Sequence, residues 1–474
     1  MKYNDKLRVF LNSVIVTGST IFDKVVFFFI NILVARYLSL DLYGEYITAL
    51  GYATFFSIFT DLGINQTLTR AVNLDEKNEL KYLGNTILLK AFLSLILYLI
   101  MAGSLWLTNY SSNTIALTLI FGLVRFGNEY QKSFYSLHEA KENFKVSSIS
   151  IMLLSVGLLL GTWLVIANQG DYFQLAYLRL FVVALVLFFL IIYTYCFFPW
   201  KIDLKLFKPY FKSALPFIFS TINFNILQRS NIIILSLIQG TFYSGIFNNA
   251  YIFFTTLMFI PINFNRVLTP YLYKNTKDKN KFQFSFDLFS KVFALGSFYL
   301  FLIFFLFSDK IIPLFFGAKY LPAVETLKII SFSFPFLFNM ATIIITSLDQ
   351  QKYNSKIFGV AALVNLASNF ILIYFYKTEG AALAVVITFF TIFVLTHLFL
   401  GVKKYLSLQK TSFMYLIVIL ITFSCWAAYQ YGFKNFNWGL ALFWVTLIYS
   451  ALVFIFLVKK DDWRIIKETF GKKI

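Results

Sequence analysis

The chain has 474 residues, 59% hydrophobic and 13% charged, with 41 Lys and Arg against 22 Asp and Glu for a formal net charge of +19. So little polar surface excludes a soluble globular fold and leaves a membrane protein. The positive excess would suit a nucleic-acid surface, but its placement along the chain assigns it to membrane topology and no nucleic-acid partner is expected.

Apolar runs of about 20 residues, enough to cross ~30 Å of hydrocarbon, recur from end to end. In chain order, helices are expected over 10–36, 43–66, 82–107, 114–136, 145–168, 173–198, 213–238, 242–271, 284–307, 323–348, 356–376, 380–400, 412–432 and 437–458, fourteen in all. The gaps are too short for a soluble domain. The first run carries Ser13, Thr17, Ser19 and Asp23 where a cleaved signal peptide has a compact apolar core, so this helix is expected to stay. Gly157 and Gly161 form a G-x-x-x-G in the fifth helix, read as close helix packing. Cys196 and Cys425 lie far apart in expected helices and suggest neither a disulfide framework nor a metal site.

Short cytoplasmic loops carry an excess of Lys and Arg. With the N-terminus inside, 28 basic residues fall in inside loops and the tail, against four outside: Lys310, Lys319, Lys377 and Lys434. Both termini are therefore expected in the cytoplasm, with residues 459–474 a basic cytoplasmic tail. Nine basic residues remain within or at the ends of helices: Lys24, Arg36, Lys90, Arg125, Arg179, Arg229, Arg266, Lys291 and Lys328.

"DLYGEYITAL" opens the second helix and "TFYSGIFNNA" the eighth, each with Tyr, Gly and a further aromatic: Tyr43, Gly44 and Tyr46, then Tyr243, Gly245 and Phe247. Each follows a helix with one buried basic residue, Lys24 or Arg229, which suggests two parallel six-helix repeats. The ordered set "NILVARYLSLDLYGEY", "DLGINQTLTR", "GTFYSGIFNNAY", "LFFGAKYLPAVETLKII" and "NFILIYFYKTEGAALAVVITFF" resembles the polysaccharide repeat-unit exporters. These are the O-antigen and capsule flippases of the multidrug/oligosaccharidyl-lipid/polysaccharide (MOP) superfamily.

The resemblance covers roughly residues 10–400. It implies an all-α polytopic protein with two six-helix lobes, here 1–200 and 201–402, around a central cavity, with helices thirteen and fourteen added over 403–458. It also implies alternating access and a substrate of oligosaccharide on polyprenyl pyrophosphate, carried across a bacterial cytoplasmic (inner) membrane. A polysaccharide polymerase and a chain-length regulator are the protein partners such a pathway suggests. Many relatives carry an acid where this chain has Asn231, so an ion-coupling role there is in doubt.

A basic side chain at a helix centre costs about 2.5 to 3.5 kcal/mol to insert, against roughly 0.3 to 0.6 returned by each Leu, Ile, Phe or Val. At ~1.5 Å per residue from Leu215, Arg229 lies about 21 Å from the cytoplasmic edge, deep enough to need a partner or water. Thr221, Asn225, Gln228 and Arg229 form a polar stripe suited to a wet cavity or another helix. Arg125 has Glu129 four residues on, so a neutralising i,i+4 pair and a cavity role are both open. Lys24 follows Asp23, but consecutive positions point ~100° apart, which makes pairing less natural. Arg179 has no acid on its face and lies near an outer helix end, where it can either snorkel or face a cavity. Arg36, Lys90, Arg266, Lys291 and Lys328 are assigned to topology or lipid head groups.

Lys24, Arg125, Arg179 and Arg229 outnumber the buried acids Asp23 and Glu129, so the interior is expected to be net positive and its ligand an anion. A pyrophosphate fits, because Arg offers a planar fork to phosphate oxygens. Asn223, Asn225, Gln228, Asn248 and Asn249 are plausible sugar contacts, or else interhelical packing bonds. No G-x-x-x-x-G-K-S/T is present, and His138, in an expected loop, and His397 lack companions for a metal or triad site. No cofactor and no metal are expected; the membrane potential or a H+ or Na+ gradient is the expected drive. A multidrug exporter of the same superfamily would favour buried carboxylates, and a polymerase or ligase would carry a large external loop, whereas Ser308–Pro322, the longest outside gap, is short.

Overall fold

The computed structural model describes residues 3–195, 202–203, 223, 226–275, 279–402 and 408–457, and every regular element among them is helical. The first six expected crossings fall on α1 (Tyr3–Tyr37), α2 (Leu40–Ile58) with α3 (Ile64–Leu74), α4 (Glu79–Leu105), α5 (Ser112–Ala140), α6 (Phe144–Ala167) and α7 (Tyr172–Tyr195). α8 (Ile226–Gln239) holds the described part of the seventh, followed by α9 (Thr241–Leu257) and α10 (Phe259–Asn275). Then come α11 (Lys279–Phe316), α12 (Ala323–Ser331), α13 (Phe334–Leu337), α14 (Ala341–Ser347), α15 (Gln351–Val402), α16 (Leu408–Ala428) and α17 (Trp438–Phe456). Thr221, Asn225, Cys196, the junctions at 200–201 and 402–403 and the tail lie outside the described residues.

By length and apolarity nine of the described helices can cross a membrane, or ten with the bent pair Ala323–Ser331 and Phe334–Ser347 counted as one span. The expected fourteen differ from this number for physical reasons. The second crossing is broken after Ile58 into α2 and α3, and the eleventh and twelfth run together as α15, whose Lys377 (φ 48, ψ −121) is the non-helical joint between them. The bend of 44° in the tenth falls where Pro335 removes a main-chain donor and Ser333 Oγ donates back to the Ile330 carbonyl.

Packing divides the chain into two compact units, Met1–Phe259 with Asn365–Ala384, and Ile260–Val364 with Val385–Ile474. In the first unit, one end gathers the turns between alternate helices: Tyr37 OH donates to the Gly170 carbonyl (2.8 Å), and Ser111 Oγ and Tyr172 OH both donate to the Glu45 carboxylate. The opposite end ties the α3–α4 and α5–α6 turns through Lys141 and Glu79 (2.9 Å). Such alternation of ends is that of a bundle that crosses back and forth. Gly157 and Gly161 receive Val182 and Leu178 of α7, the close packing their spacing suggests.

His138, past the expected fourth crossing, sits on the last turn of α5 rather than in a loop. It is buried and its Nε2 lies 3.1 Å from Thr194 Oγ1. Burial, and then the Lys141 charge, push its pKa down to about 4. A base held neutral by the fold contributes stability fully above its unfolded pKa of about 6.5, lost as pH falls toward the folded value, at ~1.4 kcal/mol per unit. The apparent Tm of the purified protein is therefore expected to fall between pH 6.5 and about 4, and His138→Gln to flatten that slope.

In the second unit α11, α16 and α17 share an apolar core that includes Leu302, Val418, Cys425 and Val445. Beside it, α11, the α12–α13 bend and α16 enclose a groove of about 460 Å³ walled by Phe301, Phe305, Phe332, Phe336, Phe423 and Trp426. A second hollow of about 310 Å³ shares Phe298, Pro335, Phe336 and Ile419 with it and is lined also by His397 and Tyr415. Aromatic walls of this kind suit an extended apolar chain.

Candidate functional site

Three of the four expected cationic residues come together within the first unit. Arg125 on α5 is within electrostatic reach of Arg229 on α8 and Arg179 on α7, as well as of Glu129 and Tyr46. Among the described residues no ion pair involves any of the three guanidinium groups, and the buried Nε of Arg125 has no hydrogen-bond partner. The i,i+4 pair between Arg125 and Glu129 does not form; Glu129 Oε1 pairs with Lys132 at 2.6 Å, and its Oε2 is left without a hydrogen bond. The order favours the Lys132 pair: an acid N-terminal to its base follows the helix dipole, whereas Arg125 before Glu129 opposes it.

Arg179 does not snorkel. It is 5% exposed and lies with its guanidinium 5.6 Å from the Tyr46 ring centroid. A desolvated cation–π contact of this kind is worth about 1 to 2 kcal/mol. Tyr46→Phe is thus expected to keep transport within about twofold, while Tyr46→Leu loses roughly five- to thirtyfold at unchanged protein level.

Lys24 stands apart from this group. It is half exposed and its Nζ lies 3.7 Å from Asp23, so the two neighbours do pair despite their consecutive positions. An exposed contact of that length contributes little. Asp23 is also held by Ser155 of α6, whose Oγ donates at 2.8 Å.

Lys90 requires a correction. It is not a head-group residue near a helix end but is fully buried, with Asp61 at 3.2 Å, Asn65 Oδ1 at 3.0 Å and the Glu129 carbonyl at 2.9 Å. Sequence spacing could not find it, since its partners lie 25 and more positions away.

The amides divide. Asn248 Nδ2 donates to Tyr43 OH at 2.9 Å, and Gln228 Nε2 lies 3.5 Å from Met258 Sδ, so both are engaged between helices. Asn249 is fully buried with neither amide atom partnered, and Asn223 keeps an unpartnered Nδ2. Asn231 Oδ1 accepts from Asn369 (2.6 Å) and Asn365 (3.4 Å), and Ser230 Oγ donates to Asn365 Oδ1 (2.6 Å). That amide cluster supplies no carboxylate where an acid would serve a cation.

The repeated Tyr-Gly-aromatic stretches meet each other. A Cβ on Gly44 would overlap the Thr241 carbonyl oxygen, and one on Gly245 would lie 3.0 Å from Gly44 Cα. The N-terminal ends of α2 and α9 therefore touch backbone to backbone, with Lys377 Nζ donating to Tyr243 OH nearby (2.9 Å).

Residues 9–276 match the family described as "Polysaccharide biosynthesis protein". The chain belongs to this family. The match covers more than half of the chain and includes all three clustered arginines. No curated protein matches the chain in sequence. Among solved structures, the lipid II flippase MurJ in an inward closed conformation superposes with TM-score 0.78 at 16% identity, over 94% of this chain and 98% of that chain. An inward-facing multidrug resistance MATE transporter of the MOP superfamily matches at TM-score 0.66 and 10% identity, over 81% and 96%. A MOP superfamily transporter from Pyrococcus furiosus, described as having a binding pocket of reversed polarity, matches at 0.54 and 12%, over 84% and 96%. These likenesses establish a shared transporter fold, the one the sequence resemblance implied.

Proposed function

We propose that this chain carries polyprenyl (undecaprenyl) pyrophosphate-linked oligosaccharide repeat units from the inner to the outer leaflet of a bacterial cytoplasmic membrane, for O-antigen, capsule or exopolysaccharide assembly. The observation that carries the reading is the group of Arg125, Arg179 and Arg229 from three helices, without an anionic partner among the described residues. Like charges so placed repel until an anion arrives, and a pyrophosphate answers them with several acceptor oxygens. Asn249, with both amide atoms free, is suited to a sugar hydroxyl. The aromatic groove of the second unit is suited to the polyprenyl tail. Fourteen crossings with both termini in the cytoplasm, two six-helix lobes and alternating access complete the reading.

Moving about two negative charges outward through ~100 mV, negative inside, releases roughly 4 to 5 kcal/mol. The potential alone therefore suffices to bias export. A multidrug exporter of the same fold would need buried acids to bind organic cations, whereas the charge gathered here is positive.

The test uses a native host lacking this gene, whose lipids are extracted and assigned to leaflets. An oligosaccharide-pyrophosphate lipid is expected to accumulate in the inner leaflet while surface glycan is lost, without even single repeat units outside. Normal surface glycan with raised sensitivity to cationic drugs would overturn this reading in favour of a multidrug exporter.

A further inference from the structure

Among the lysines whose side chains are described only Lys90 is buried, and it has no exposed surface at all. Its ammonium has three hydrogens and three oxygen neighbours: the Asp61 carboxylate, the Asn65 amide carbonyl and the Glu129 main-chain carbonyl. One charged and two neutral oxygens at about 3 Å form a complete cage for a single positive charge. The cage is held from behind, because the Asn65 N–H donates to Asp61 Oδ1 (3.2 Å) and Ser133 Oγ donates to Asn65 Oδ1 (3.0 Å). The other charges facing it are Glu129 and Lys132 on α5, paired to each other, with Arg125 one turn away.

The cage sits where the second crossing breaks. Leu62 and Gly63 have φ of 40° and 84°, a left-handed stretch that costs most at the leucine. On its far side Ile64, Leu68 and Val72 of α3 enter a core with Leu83 and Leu89 of α4 and Phe134 of α5. Lys90 thus fastens a strained turn to the two helices behind it.

We propose that Lys90 is a tethered cation: it fills a built site that would otherwise take a small monovalent cation, and pins the break of the second crossing without a soluble ion. The proposal rests on the packing of this unit and not on the identity of the cargo. Because the ammonium is covalently part of α4, the cage exchanges no ion with either side of the membrane, and transport draws no Na+ gradient through it.

The test is thermal unfolding of the purified full-length protein in detergent, in chloride salts of Na+, K+, ammonium, methylammonium or choline at one ionic strength. Because Lys90 fills the cage in the wild type, no Asp61-dependent salt effect is expected there, and Asp61→Asn is expected to change the salt dependence by no more than about 1 °C. Lys90→Ala leaves an empty anionic cage and is expected to lose roughly 5 to 15 °C in choline, then regain at least half, saturably, in ammonium or Na+. The double variant Lys90→Met with Asp61→Asn removes both charges and is expected to fold and to ignore the salt, which keeps the test decisive where Lys90→Ala does not accumulate. A Lys90→Ala protein equally destabilised in all five salts would overturn the proposal. So would a wild-type Na+ effect abolished by Asp61→Asn, or a double variant that also fails to accumulate.

Discussion

Arg229→Ala is expected to lower export at least tenfold, and Arg125→Ala with Arg229→Ala to abolish it, while the amount of protein in the membrane stays the same. A hydrogen bond to a charged group is worth about 1.5 to 3 kcal/mol, or roughly 10- to 150-fold, and a guanidinium facing a pyrophosphate makes at least one. Stability should move the other way. Arg125 lies within reach of Arg229 and Arg179, and no described acid pairs with any of them, so removing one guanidinium relieves repulsion. An unchanged or higher Tm with lost export is the signature of a binding charge. Arg229→Lys, which keeps the charge but not the fork, is expected to fall between wild type and alanine. Full export by Arg229→Ala at equal protein level would remove this residue from the site.

Gly44→Val is expected to stop transport nearly completely, through the contact of α2 with α9 two residues from Tyr46. Even the first carbon of a side chain at Gly44 would overlap the Thr241 carbonyl, which is main chain and cannot swing aside. Gly245 approaches Gly44 from the facing helix, so α2 and α9 must separate to admit any residue larger than glycine. In the alternating-access cycle proposed above, that separation is expected to keep this end of α2 and α9 from closing. Solvent-exposed thiol labelling at a cysteine introduced at Phe247, fully buried behind the contact, should rise severalfold in the Gly44→Val background. Equal labelling in both backgrounds, with export retained, would show that the contact is not a gate.

The membrane class, the helical content and the positions of the first six crossings were legible because hydropathy is a local signal. The likeness of the two Tyr-Gly-aromatic stretches was legible, but their contact was not, because likeness does not say that two segments touch. The α2–α3 break was hidden in an apolar run, where the positive φ values at Leu62 and Gly63 follow directly on Asp61, the partner of Lys90 from another helix. Lys90 itself read as a head-group residue, since Asp61 and Asn65 are near it only in the fold. For Arg125, the sequence offered Glu129 as a partner, and in the fold Glu129 pairs with Lys132. Arg179 and Arg229 were recognisable as unpaired on their own helices; that they face Arg125 required the packing of α5 against its neighbours.

The central claim is most directly tested by reconstituting the purified chain in liposomes that hold a polyprenyl pyrophosphate oligosaccharide and measuring how fast the lipid becomes accessible to a membrane-impermeant glycan-modifying enzyme. The account predicts acceleration by the wild type, faster still under a potential that drives anions toward the enzyme, and none by the Arg125→Ala, Arg229→Ala protein. Rates in wild-type liposomes equal to those of protein-free liposomes, with the protein folded, would contradict it.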